Sequence, residues 1–123
     1  MQITREPAQS ANAIIACLSG EIRLRDSRHT ASVIVTRDAV VSDWRHPPLD
    51  ELAIEHFAAV IELGPEIVLL GTGPRQRFPH PRLTHALMQA RVGVEVMDTS
   101  AACRTYNILM AEERLVAAAL LVA

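Results

Sequence analysis

From residue 67 onward the chain alternates continuous apolar runs with helical stripes, and this alternation limits its fold more than any other feature. Residues 67–70 are four apolar side chains in a row, closed by Gly71-Thr72-Gly73-Pro74. A run of that kind suits a strand buried on both faces. Residues 82–91 place Leu83, Ala86, Leu87 and Ala90 on one side of a helix. Residues 92–97 read as a strand, 99–112 as a helix and 115–122 as a last apolar strand. A β-α-β-α-β order needs crossover connections, which give parallel strands covered by helices. Residues 67–70, 94–97 and part of 115–122 are therefore expected side by side in a central sheet.

The first third has a different rhythm. Residues 13–18 form a short apolar run, Ser19-Gly20 is turn chemistry, and residues 21–25 alternate strictly. Residues 31–36 read as a strand with a β-branched run at 33–36, and 39–44 form a further short strand. This predicts an N-terminal antiparallel meander. Residues 1–11 are polar and read as a loosely held lead-in. After Pro47-Pro48, residues 49–63 carry apolar side chains at 49, 52, 53, 57, 60 and 61, a pattern that predicts one helix ending at Gly64-Pro65. The whole is expected to be a three-layer α/β domain with a mixed, largely parallel central sheet. At 123 residues the length suits a single domain, 1–123.

Composition removes several classes of function. Half the residues are hydrophobic and 21% are charged, which excludes wholesale disorder. All twelve basic residues are arginine, so Schiff-base lysines and the P-loop lysine are absent. Fourteen acidic residues leave a net charge of −2, and only 3% of the residues are aromatic. That balance argues against nucleic acid as a partner. The apolar ends are too short to span a bilayer. Cys17 and Cys103 are far apart and lack metal-ligand spacing, so neither a metal nor a disulfide is expected. A cytoplasmic setting follows from reading both as reduced. The histidines (29, 46, 56, 80 and 85) are scattered, without HxH or HExxH, and no serine sits in a GxSxG elbow. No catalytic constellation and no cofactor motif emerges.

Ligands of open α/β sheets gather beyond the carboxyl ends of parallel strands. Two segments qualify here: Gly71-Thr72-Gly73, and Asp98-Thr99-Ser100 at the start of a helix. The first reads as a tight turn or as a backbone cradle. The second reads as an N-cap or, through free N–H groups, as an anion site. On that helix Cys103 sits in the first turns, where the dipole lowers a thiol pKa, or is a small buried filler. Arg104 and Asn107 share the face opposite Tyr106 and form either a solvated surface or a recognition pair. Gly71, Thr72, Gly73, Asp98, Thr99, Cys103, Arg104 and Asn107 are the candidate binding residues.

Several stretches resemble one small family. They are Leu69-Leu70-Gly71-Thr72-Gly73, Arg77-Phe78-Pro79, Gly93 through Thr99, and above all Ala101-Ala102-Cys103-Arg104-Thr105-Tyr106-Asn107-Ile108-Leu109. The family is the domain-of-unknown-function group 498/598, whose mitochondrial relatives are assembly factors of respiratory complex I. The ending from Glu112 to Leu121 is similar too, with Glu113 where many members carry glycine. The resemblance implies a three-layer (β+α)/β/α fold and no established catalytic residues. It also implies a non-enzymatic protein-interaction role, aiding assembly of a respiratory or other membrane complex through a protein partner such as a subunit of it. The alternative is a small-ligand or anion-binding protein, an enzyme among the options, with its site at the carboxyl edge of the sheet.

Overall fold

In the computed structural model, which describes residues 2–5 and 12–122, the strands divide between two sheets. In chain order the elements are β1 (Gln2–Arg5), β2 (Ile14–Leu18), β3 (Glu21–Leu24), β4 (Arg28–His29), β5 (Val33–Thr36), β6 (Ala39–Ser42), α1 (Ala58–Glu62), β7 (Ile67–Gly71), α2 (Pro81–Gln89), β8 (Gly93–Met97), α3 (Thr99–Ala111) and β9 (Val116–Leu120). The central sheet runs β1-β6-β5-β9-β7-β8 and a small sheet runs β2-β3-β4. Pairing is parallel across β9-β7-β8 and antiparallel from β9 out to β1. The three strands expected as neighbours from the alternation are neighbours, with Leu69 opposite Ala118 on one side and Glu95 on the other.

The sheet has an apolar cluster on each face. One packs Ile34, Val68, Leu70, Ala117 and Ala119 against α1, α2 and the segment carrying Trp44, Leu52 and Phe57. The other packs Val33, Val35, Leu69, Ala118 and Leu120 against α3 and the small sheet. These are the three layers. Alternation along β9 sends Ala117 and Ala119 one way and Val116, Ala118 and Leu120 the other. Its three alanines, all fully buried in mid-sheet, let the covering layers approach closely.

The meander is antiparallel throughout but is shared between the sheets. The β2–β3 and β3–β4 pairs form the small sheet, while β5 and β6 join the central one. Gln2–Arg5, within the expected lead-in, pairs with β6 as β1. Residues 1 and 6–11 of that lead-in lie outside the described residues.

The single helix expected over 49–63 is a correction. That stretch holds a 3₁₀ turn at Leu49–Glu51, another at Ile54–Phe57, and only then α1. Leu52 and Ala53 are extended between them, with ψ of 134° and 168°. The apolar stripe had the helical period, but burial of Leu52 and Trp44 decides the backbone. Trp44 Nε1 donates to the His56 carbonyl at 2.9 Å and its ring meets Phe57 edge-on at 5.3 Å. The imidazole of His56 in turn accepts from Ala53 N–H.

Candidate functional site

The carboxyl ends of β7 and β8 meet the start of α3, and hydrogen bonds tie them together. A Cβ on Gly71 would lie 2.9 Å from Thr99 Cα, so only glycine fits where the strand passes the helix. Gly73 has φ of +98°, a left-handed conformation open to glycine. Its N–H donates to Thr99 Oγ1 at 2.8 Å, and Thr99 N–H donates back to the Gly73 carbonyl at 2.9 Å. Thr99 Oγ1 then donates to the Leu121 carbonyl, and Leu121 N–H to the Gly71 carbonyl. The ring so closed joins β7, α3 and the residue after β9. Thr72 is buried, and its hydroxyl donates to the Arg75 carbonyl at 2.8 Å and accepts from Arg77 N–H. Asp98 caps α3 by accepting from Ala101 N–H at 2.8 Å.

Beside this ring lies a half-open recess of about 180 Å³, walled by Gly73, Asp98 and Thr99, by Cys17 and the β2–β3 turn, and by Leu121. Small-molecule sites usually start near about 300 Å³, so the recess suits only a very small ligand. It is where the sequence pointed, but only three of the eight candidate residues line it.

The others do different work. Cys103 is buried and does not line the recess, and burial together with the neighbouring Cys17 thiol pushes its pKa up, with Arg104 pulling weakly the other way. Of the two readings open for Cys103, burial fits the small filler rather than the thiol lowered by the helix dipole, because desolvation of a thiolate outweighs the dipole. Arg104 is exposed and donates to Ser100 Oγ one turn back at 2.8 Å. Asn107 does not pair with it. Its Oδ1 accepts from Ile14 N–H at 2.9 Å and its Nδ2 donates to the Ile14 carbonyl at 2.8 Å. The amide thus replaces a neighbouring strand for β2. Tyr106, fully buried, donates its hydroxyl to the Asn12 carbonyl at 2.6 Å. Among the described residues no group of three or more His, Cys, Asp or Glu side chains is placed to hold a metal.

The loop that follows this ring carries Arg77-Phe78-Pro79 of the family resemblance, yet none of its residues is among the eight binding candidates. Residues 74–78 are exposed and their backbone is pinned from beneath by Thr72. Phe78 is 74% exposed, and Arg75, Arg77 and Arg82 around it form no ion pair among the described residues. His80 Nδ1 accepts from Arg82 N–H, capping α2. Two prolines and a phenylalanine in a loop were the visible signal.

A family described as "Protein of unknown function (DUF498/DUF598)" matches residues 14–121. The chain belongs to this family. Proteins with solved structures superpose closely. A Bordetella parapertussis protein, 36% identical, gives a TM-score of 0.85 over 95% of this chain and 100% of that one. A Xanthomonas campestris protein, 35% identical, gives 0.83 over 99% and 92%. A protein of Bartonella henselae described as an outer membrane protein is 29% identical with a TM-score of 0.76, over 92% and 96%. Among curated relatives, a protein of Danio rerio named NADH dehydrogenase [ubiquinone] 1 alpha subcomplex assembly factor 3 is 35% identical over 83 residues, 66% of this chain and 48% of that one. The protein of that name in Xenopus tropicalis is 30% identical over 115 residues, 84% and 63%. The chain therefore spans about half to two thirds of the length of these relatives. Among the described residues no helix is long and apolar enough to cross a membrane.

Proposed function

We propose that this chain is a non-enzymatic interaction domain that aids assembly of a respiratory or other membrane complex, binding a subunit of that complex from the cytoplasm. The relationship to proteins named as complex I assembly factors carries this reading. The pinned loop around Phe78 supports it as the contact surface. Aromatic and arginine side chains dominate the energetics of protein interfaces, and here both stand exposed without internal partners. A folded loop of fixed backbone also loses little entropy on docking.

The test is affinity capture of the tagged chain from detergent-solubilised membranes of its source organism, with membrane-complex subunits quantified. The wild type should enrich complex I subunits, or those of one other membrane complex, and Phe78→Ser should reduce the enrichment at least tenfold. Subunits at background for both would contradict the reading. The recess favours the second reading, a very small ligand or anion at the carboxyl edge, because it lies beside the N-terminus of α3.

A further inference from the structure

We propose that Cys17 and Cys103 are a reversible dithiol–disulfide pair, oxidised by a small hydroperoxide that reaches Cys17 through the recess. The inference is independent of the assembly role.

Three contacts align β2 with α3 in opposite chain directions. The Tyr106 hydroxyl meets the Asn12 carbonyl, the Asn107 amide meets Ile14, and one turn earlier on the helix Cys103 belongs to the apolar cluster against which Cys17 packs, with the two thiols near enough to interact. The sequence separation that argued against a disulfide is thus cancelled by the fold. The two sulfurs differ in access. Cys17 is half-buried and forms part of the recess wall, whereas Cys103 is buried and is not part of that wall. Cys17 is therefore the sulfur that meets an oxidant first, because it is the one the recess exposes.

The chemistry balances with a hydroperoxide as the two-electron oxidant. Cys17 sulfur attacks one peroxide oxygen, the O–O bond breaks, an S–O bond forms, and one water (or alcohol) departs. Cys103 sulfur then displaces the hydroxyl from Cys17, breaking S–O and forming S–S. Its proton leaves with the hydroxide as a second water. The bridge would fasten the small sheet to α3 covalently, across a joint now held by side chain to backbone hydrogen bonds. It would also remove the only thiol lining the recess.

The experiment treats the full chain with hydrogen peroxide at neutral pH, then denatures and alkylates it for mass spectrometry. The expected product is a monomer lighter by two hydrogens, with neither cysteine alkylated. Its tryptic peptides bearing Cys17 and Cys103 should be joined, and dithiothreitol should separate them. The oxidised monomer should melt above the reduced one, since the bridge closes a long loop without displacing its ends. In Cys103→Ala, dimedone should trap a sulfenic acid on Cys17. Two alkylatable thiols after treatment would overturn the proposal. So would Cys17 over-oxidised beside an intact Cys103 thiol, disulfides only between chains, or an oxidised monomer that melts lower.

Discussion

Thr99 joins three parts of the chain at the carboxyl edge. Its hydroxyl accepts from Gly73 in a buried bond and donates to Leu121 in a part-buried one. Thr99→Val keeps the shape and leaves one N–H and one carbonyl without partners. A loss of about 2–4 kcal/mol is expected in urea unfolding, from about 1–3 kcal/mol for the buried N–H and about 1 kcal/mol for the part-buried carbonyl. Gly71→Ala places a methyl against backbone at 2.9 Å and should cost about 1–3 kcal/mol by overpacking. His29 supplies a pH dependence. Burial lowers its pKa from the ordinary 6.5. Below that value the unfolded chain takes up a proton that the folded chain resists. Its contribution is therefore complete above pH 6.5 and is lost as pH falls through the lowered folded value. Stability measured against pH should fall on acidification from about 6.5, and His29→Asn should flatten that part of the curve.

At the scale of elements, α3 carries both a support and a free surface. Asn107→Ala deprives Ile14 of a donor and an acceptor and should cost about 1–3 kcal/mol, with faster hydrogen exchange along β2. Arg104→Ala touches only Ser100 and should stay within about 0.5 kcal/mol. The end of α3 gives an opposite case. Glu113 has φ of +62°, a left-handed conformation that disfavours a Cβ, at the position where glycine is common in the resemblance. Glu113→Gly is expected to raise stability by about 0.5–1 kcal/mol in the same assay. The order and type of the second-half elements were legible because two-sided apolar runs and helical stripes leave few other readings. The break at Leu52-Ala53 was not legible, because a helical period survives in side chains whose backbone is set by Trp44, Phe57 and the sheet. The role of Asn107 was hidden for a related reason. Its partner, Ile14, is 93 residues away.

For the molecule as a whole, the residues that hold the carboxyl edge together and the residues that present exposed chemistry there are different sets. Gly71, Thr72, Gly73, Thr99 and Asn107 hold β7, α3, β2 and the chain after β9 together. They in turn fix the loop that carries Arg75, Arg77 and Phe78 outward. The candidate site was thus legible as a place, while its division into scaffold and surface needed the tertiary fold. If partner binding runs through that loop, removing its side chains should leave the scaffold intact. The most direct measurement is complementation of a deletion strain, with assembled membrane complexes quantified on native gels. The Arg77→Ala/Phe78→Ser double variant should melt as the wild type does and fail to restore the assembled complex, while Arg104→Ala restores it. Full restoration by the double variant, at wild-type abundance, would contradict the account.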